Sequence, residues 1–161
     1  MQGWKWGRNH MKIATKHFGE VEVDESKIVN FEKGIFGFED EKQFIMFYED
    51  EEAPNGLCWM QSINDGDLVL PVVNPIYWYP DYSPEIDDEH IEAIGELAEE
   101  DLQLFTVVVI RETIEDMTVN LQAPIVINYK TMQGMQAVIQ GDDYGIRHNL
   151  YEQMQKMKAG D

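Results

Sequence analysis

The sequence predicts a mostly β protein, a compact antiparallel β-barrel-like domain with two short helical segments. About ten short runs of β-branched and aromatic residues are separated by turn signals, a spacing typical of sandwiches and barrels. The stretch from Thr118 to Lys130 alternates apolar and polar residues with the period of two that a half-buried strand requires. Helical spacing of apolar residues is confined to residues 87–95 and 143–158.

The first half of the chain predicts strands joined by tight turns. Residues 1–10 show no periodicity and are expected to form an unstructured N-terminal extension, so a single domain is assigned to residues 11–158. Two glycines in "GIFGF" (34–38) indicate a turn. "FIMFY" (44–48) is a buried strand by its continuous apolar run, and "NDGD" between "LCWMQSI" and "LVLPVV" predicts a hairpin.

The second half combines strands with both helical segments. Asp87 is a candidate N-cap and Gly95 a stop for the first helix. "LQLFTVVVI" (102–110) is long and β-branched enough for a central strand. Pro124 interrupts the strand of residues 118–130, which places it at an edge or a break. The final helix carries its apolar stripe at 146, 150, 154 and 157.

Composition indicates one folded domain in a reducing compartment. The chain has 161 residues, 43% of them hydrophobic, and Cys58 is its single cysteine. It contains neither a secretory signal core nor an apolar run of the roughly 18–20 residues that span a membrane. We therefore expect a cytoplasmic protein that does not bind membranes.

Of the overall properties of the sequence, the distribution of charge says most about possible partners. The formal net charge is −19, and residues 31–120 carry 23 acidic against three basic residues. Such a surface repels nucleic acid and attracts basic partners, so direct nucleic-acid binding is not expected. The acidic loop after Tyr48 is predicted to steer a basic partner electrostatically through Glu49, Asp50, Glu51 and Glu52.

The sequence nominates no catalytic residue, metal ligand or cofactor. Its four histidines are dispersed without the spacing of metal ligands, and Cys58 lies in an apolar run without a neighbouring cation. An enzymatic or small-ligand-binding β-barrel of unknown substrate remains the alternative. A closed pocket with convergent polar groups would favour that alternative, and acids spaced like phosphates would favour a nucleic-acid mimic.

Protein binding is the better supported class. Residues 74–86 concentrate aromatics between prolines, which supply large contact area on a stiff backbone. The 118–130 strand is expected to turn its amides outward, where a strand edge could accept another chain. The candidate partner-binding residues are Asn74, Pro75, Tyr77, Tyr79, Asp81, Tyr82, Asn120, Gln122, Pro124 and Asn128.

Several motifs, in this order and spacing, resemble the bacterial flagellar assembly factor family FliW. They are "FEKGIFGFEDEKQF" (31–44), "LCWMQSI" (57–63), "VVNP" (72–75), "YPDY" (79–82), "TVNLQAPIVIN" (118–128), "GMQAVIQ" (134–140) and "YGIRHNL" (144–150). Phe36 stands where family sequences usually have proline. The resemblance covers residues from about 11 to 150.

The resemblance implies a β-barrel-like fold, no catalysis and a function in partner exchange. FliW-like proteins bind flagellin near its C-terminal segment. When flagellin is secreted, the released protein binds CsrA, a small basic RNA-binding dimer that represses flagellin translation. The family mechanism implies antagonism of CsrA away from its RNA surface, which is allosteric.

Overall fold

The computed structural model of the protein describes residues 10–48, 57–95, 101–141 and 143–159. Its helices in these ranges are α1 (Pro75–Trp78), α2 (Asp88–Ala93) and α3 (Leu150–Ala159), with 3-10 turns at Glu25–Lys27 and Ile114–Asp116. Its strands are β1 (His10–Thr15), β2 (Gly19–Asp24), β3 (Val29–Phe31), β4 (Gln43–Tyr48), β5 (Leu57–Ser62), β6 (Val69–Val73), β7 (Leu102–Val109), β8 (Thr118–Val119), β9 (Ile125–Asn128), β10 (Gln133–Gln136) and β11 (His148–Asn149).

Seven strands close into a barrel. The neighbours run in the order β7, β6, β5, β4, β3, β10 and β9, and β9 pairs back onto β7 to complete the ring. The pairs are antiparallel except for β3 and β10, which are parallel. β8 and β11 extend the sheet beyond β7, and β1 with β2 forms a separate hairpin. The predicted barrel-like fold is therefore confirmed, with one parallel pair that the sequence did not indicate.

The barrel interior is an apolar core. Alternate residues of each strand point to opposite faces, so Ile125 and Ile127 of β9 share the interior with Phe44 of β4 and Met60 of β5. The rings of Phe31 and Phe44 meet edge to face at 5.6 Å between centroids. These side chains are at most 1% exposed, and they fill the space that a ligand-binding barrel would leave open.

Two smaller cores lie on the outer face of the barrel. Ile45 follows Phe44 on β4 and therefore points outward, where it packs under the β1–β2 hairpin with Ile13 and Val23. On another side, Val73 of β6 packs with Trp78 of α1 and Leu150 of α3. The second outer core fixes α1 and the C-terminal helix to the barrel wall.

The helix boundaries correct the sequence-based expectation at the C-terminus. The helix over 87–95 is found as α2, but the helix expected from 143 begins at Leu150 and ends at Ala159. Asn149 precedes it as a cap, with its Oδ1 accepting the N–H of Glu152 at 2.8 Å. His148 and Asn149 pair with β8 instead of continuing the helix. Helical spacing of Ile146 with Leu150 was misleading, because Ile146 is 56% exposed and outside the helix.

Two other boundaries differ from the sequence-based expectation. His10, assigned to the N-terminal extension, is the first residue of β1 and pairs with Asp24, while residues 1–9 lie outside the described residues. The single strand expected over 118–130 is divided into β8 and β9 by a turn at 120–124. In that turn Asn120 Oδ1 accepts the N–H groups of Gln122 and Ala123 at 3.0 and 3.2 Å. Pro124 thus stands at a break, one of the two positions predicted for it.

Candidate partner-binding surface

The segment after β6 turns away from the barrel because its sequence starts a helix. Asn74 Oδ1 accepts the N–H of Ile76 at 3.0 Å, and Pro75 occupies the first helical position, where no N–H is needed. The short helix α1 ends at Trp78. The candidate residues Asn74 and Pro75 therefore set the direction of the chain, and Pro75 is buried.

Half of the aromatic residues in this segment anchor it to the core. Trp78 is 8% exposed and its carbonyl accepts the side-chain N–H of Gln153 from α3 at 2.7 Å. Tyr82 is 5% exposed, and its hydroxyl donates to the carbonyl of Leu121 at 2.7 Å. Its ring also meets that of Tyr144 edge to face, with centroids 4.6 Å apart. Tyr82, a candidate partner-binding residue in the sequence, is therefore part of the outer core in the structure.

Tyr79 occupies an intermediate position. Its ring lies 6.1 Å from that of His148, and its hydroxyl is buried without a hydrogen-bond partner among the described residues. Burial raises the pKa of this phenol to about 12, because the phenolate would lose its hydration. Tyr79 thus remains neutral at physiological pH and offers a partner little more than a ring edge.

Three other side chains of the segment remain available to a partner. Ile76 and Tyr77 on α1 are 47% and 49% exposed, and Asp81 beyond it is also exposed. Tyr77 stacks edge to face on Trp78 at 4.9 Å, which orders an otherwise exposed ring. Tyr77 and Asp81 therefore keep the accessibility expected of contact residues, and Ile76 joins them.

The amide-rich strand face predicted for residues 120–128 does not exist. Asn128 is fully buried, and its side chain donates to the carbonyl of Ile94 at 3.0 Å while accepting the N–H of Lys130 at 2.9 Å. Asn120 braces the turn described above, Gln122 is half-buried and Pro124 is buried. Asparagine is common where a side chain replaces a backbone partner in a turn. That preference was the signal for the structural position of these residues.

A surface groove lies between the 74–91 segment and the outer face of β7 and β9. Its volume is about 600 Å³. Most of its lining is apolar, from Ile76, Tyr82, Pro84, Ile86, Ile91, Leu102, Leu104 and Val126, with Asn74, Ser83 and Gln103 adding polar groups. The groove is not apparent from the sequence, because its walls come from elements that are distant along the chain. The available signal was the apolar i, i+3 pair of Ile91 and Ile94, of which only Ile94 is buried.

The groove lies within the most acidic part of the protein. Residues 43–110 contain sixteen Asp or Glu residues and neither Lys nor Arg. Among those near the groove in sequence, the exposed ones are Asp81, Glu85, Asp87, Asp88, Glu89 and Glu92. The predicted steering residues Glu49, Asp50, Glu51 and Glu52 lie outside the described residues. An apolar groove in an acidic surface favours a partner with apolar contact residues and basic neighbours.

The described reactive groups are dispersed or buried. Cys58 is fully buried in the barrel core, and burial raises the pKa of its thiol to about 12, which disfavours the nucleophilic thiolate. His90 Nδ1 lies 3.9 Å from Asp87 Oδ2 at the surface of α2. In the ranges that the structure describes, no three His, Cys, Asp or Glu residues are grouped as metal ligands would be.

The helices in the described ranges are too short or too polar to cross a membrane.

Comparison with known proteins places the chain in a family. The family model described as "FliW protein" matches residues 12–150. The flagellar assembly factor FliW of Lachnospira eligens is 36% identical over 148 residues, which cover 91% of this chain and 98% of that protein. The flagellar assembly factor FliW of Thermotoga neapolitana is 38% identical over 150 residues, with 92% and 99% covered.

A solved structure supports the same assignment. A crystal structure of the flagellar assembly factor FliW superimposes with a TM-score of 0.79 at 36% identity, covering 88% of this chain and 97% of that one. The region that the family model matches, residues 12–150, includes the barrel, the 74–91 segment and the start of α3. On these matches in sequence and fold, the chain belongs to the FliW family of flagellar assembly factors.

Proposed function

We propose that this chain is a cytoplasmic, non-enzymatic regulator that exchanges between two protein partners. In the first state it binds flagellin. When flagellin is secreted, the free chain binds CsrA and relieves repression of translation. Its effect on CsrA is allosteric, at a site away from the RNA surface. The partners follow from the family resemblance, and the described surface supports them.

The observation that carries the proposal is the acidic surface around an apolar groove. CsrA is a basic protein, and a field of one sign raises the association rate of a partner of the opposite sign. The long stretch between Lys42 and Arg111, which lacks basic residues, supplies that field without local neutralisation. The groove supplies the apolar contact that long-range charge alone does not give.

The apolar groove also distinguishes this proposal from nucleic-acid mimicry. A mimic presents acids in the place of phosphates and has no use for an apolar cleft. Here Ile76, Ile91 and Leu104 line the cleft, while acids such as Glu85 and Glu92 are exposed near it in sequence. This arrangement favours a surface that recognises protein side chains.

The packed interior favours protein binding over a ligand-binding or enzymatic barrel. Phe31, Phe44 and Met60 occupy the volume where a small molecule would bind in such a fold. Tyr129 packs against the same cluster, with its buried hydroxyl beside that of Tyr48. Burial, the largest cause, raises the pKa of this phenol. This single buried hydroxyl does not constitute the convergent polar group of a catalytic pocket.

The experiment is an RNA-binding titration of CsrA at several fixed concentrations of this chain. Because the chain acts away from the RNA surface, we expect it to lower the maximal RNA occupancy of CsrA, and excess RNA should not restore it. Flagellin added in excess should restore RNA binding. Full restoration by RNA alone would contradict the allosteric part, and an unchanged RNA-binding curve would contradict CsrA antagonism.

A further inference from the structure

The barrel wall has an opening where β6 leaves β7. The two strands pair only through Val72 with Val107 and Val73 with Thr106. Beyond Thr106, β7 continues toward its beginning at Leu102, but the chain that follows Val73 turns into α1. The groove lies at this point, since it is lined by Asn74 and Ile76 on one side and by Leu102, Gln103 and Leu104 on the other.

Proline explains why the pairing stops here. Continuing the register of β6 and β7 by two residues places Pro75 opposite Leu104. Proline has no N–H to donate to a neighbouring strand and starts a helix readily. The sequence therefore directs the chain away from β7 at the position where the next ladder bond would form.

The backbone groups of Leu102 and Leu104 point into this opening. On the other edge of β7, the carbonyl of Val107 accepts the N–H of Asn120, and the carbonyl of Asp101 accepts the N–H of Tyr129. Hydrogen-bonding direction alternates along a strand. The backbone N–H and C=O groups of odd-numbered residues in β7 therefore point toward β8 and β9. Those of even-numbered residues point toward β6. On that edge Thr106 pairs with Val73, whereas Leu102 and Leu104, which pair with β9 on the opposite edge, have no partner strand there in the described ranges.

The surroundings of this edge are suited to an incoming strand. Ile86 and Ile91 line the same groove and offer apolar contacts to alternate side chains of such a strand. The exposed acids Asp81, Glu85 and Glu92 lie within or directly after the 74–91 segment that forms this wall. Unpaired strand edges are templates for another chain, and peptide recognition by strand addition uses them in this way.

We propose that the groove binds an extended protein segment that adds as a strand to the Leu102–Leu104 edge of β7. Its alternate side chains are apolar and enter the groove, and its flanking residues are Lys or Arg. The inference rests on the proposed function in one respect, that the occupant is part of a protein partner. It specifies the mode of binding, through backbone N–H and C=O groups of Leu102 and Leu104.

The first test uses a nine-residue peptide in which three valines alternate with two threonines between terminal lysine pairs. We expect the peptide to slow amide hydrogen exchange at Leu102 and Leu104 at least tenfold in the full chain. Exchange at Gln103, whose amide already faces β9, should not change. A peptide with glutamate in place of lysine should bind at least tenfold more weakly. Unchanged exchange at Leu102 and Leu104 at millimolar lysine peptide, or equal affinity for the two peptides, would overturn the proposal.

The second test separates the backbone from the side chain at one position. Leu102→Ala and Leu102→Pro both remove the leucine side chain, but only proline removes the N–H. That N–H faces the opening, and proline is accepted at the first residue of a strand, so the barrel ladder is kept. We expect Leu102→Pro to bind the lysine peptide at least fivefold more weakly than Leu102→Ala. Equal affinities would overturn strand addition, and the exchange measurement on the unmodified chain decides the matter if Leu102→Pro does not fold.

The outcomes also separate this inference from the proposed function. Exchange at Leu102 and Leu104 is measured again in mixtures with CsrA and with flagellin. If the chain binds neither protein but the lysine peptide protects both amides, the proposed function fails and the strand site stands. If the chain binds both proteins and neither they nor the peptide protect these amides, the strand site fails and the proposed function stands.

Discussion

Reversing three acids beside the groove is expected to slow association with CsrA at least tenfold at low salt. The variant is Asp81→Lys, Glu85→Lys and Glu92→Lys, which raises the net charge by six and leaves the first turn of α2 unchanged. All three side chains are exposed, so the fold should tolerate the change. Charge complementarity acts mainly on the association rate, which it changes by factors of about 10–1,000. Stopped-flow kinetics measures this rate directly.

The matched control carries the same change in net charge elsewhere. Glu20→Lys, Glu22→Lys and Glu25→Lys lie at or beside β2, whose hairpin packs on β4, across the barrel from β7. At about 0.15 M salt the Debye length is about 8 Å, so distant charges contribute little. The control should slow association by less than twofold at that salt concentration. Both variants are compared at about 0.15 M salt, where equal slowing by the two would show that only total charge matters and that the groove is not the binding region.

Gly34→Ala is expected to lower the free energy of unfolding by about 2–5 kcal/mol. Gly34 has a φ of +70°, a region where an L side chain costs about 1–2 kcal/mol. An added Cβ would also overlap the backbone of Glu39, coming within 2.6 Å of its Cα. Forcing extra volume into a packed site costs about a further 1–3 kcal/mol. Urea denaturation followed by circular dichroism gives the value.

Gly37→Ala in the same turn is the control. Gly37 also has a positive φ, of +88°, but an added Cβ there would have no neighbour within 4 Å. Only the backbone cost of about 1–2 kcal/mol should therefore appear. A loss for Gly34→Ala no larger than that for Gly37→Ala would contradict the close packing of the 34–38 turn against Glu39.

The strand pattern of this chain could be predicted from local sequence, but the closure of the barrel could not. Alternation along this segment predicted that Ile125 and Ile127 are buried, which is confirmed, but the opposite face of β9 is buried as well, so the expected exposure of Asn128 was wrong. The parallel pairing of β3 with β10 joins segments about one hundred residues apart. No local propensity encodes such a contact, because it depends on the packing of the whole interior.

The candidate site shows the same limit. Tyr82 and Asn128 are residue types that are common at interfaces. In the structure, however, their side chains donate hydrogen bonds to the carbonyls of Leu121 and Ile94 and stabilise the fold. The sequence does not show whether the polar atom of a tyrosine or an asparagine will bind a partner protein or a buried carbonyl of its own chain. The groove was missed for a related reason, since Ile91 of α2 and Leu104 of β7 come to line one groove only in the folded chain.

The resemblance nevertheless identified the family, because a set of short motifs in fixed order is more specific to one fold than any single residue is. "TVNLQAPIVIN" includes the Asn120 turn, the break at Pro124 and the buried Asn128, all of which hold the fold. "VVNP" includes the end of β6, the cap at Asn74 and the proline that opens the barrel wall. These motifs record structural requirements, so they identify the fold family more directly than they identify contact residues.

The central claim, exchange between two protein partners, is tested most directly by fluorescence anisotropy of labelled CsrA. The anisotropy should rise as this chain is added and should fall back to the value of free CsrA as flagellin is added. The triple reversal beside the groove should weaken the rise, and the reversal on the hairpin should not. Failure of CsrA to bind this chain, or a complex with CsrA that excess flagellin leaves intact, would contradict the account.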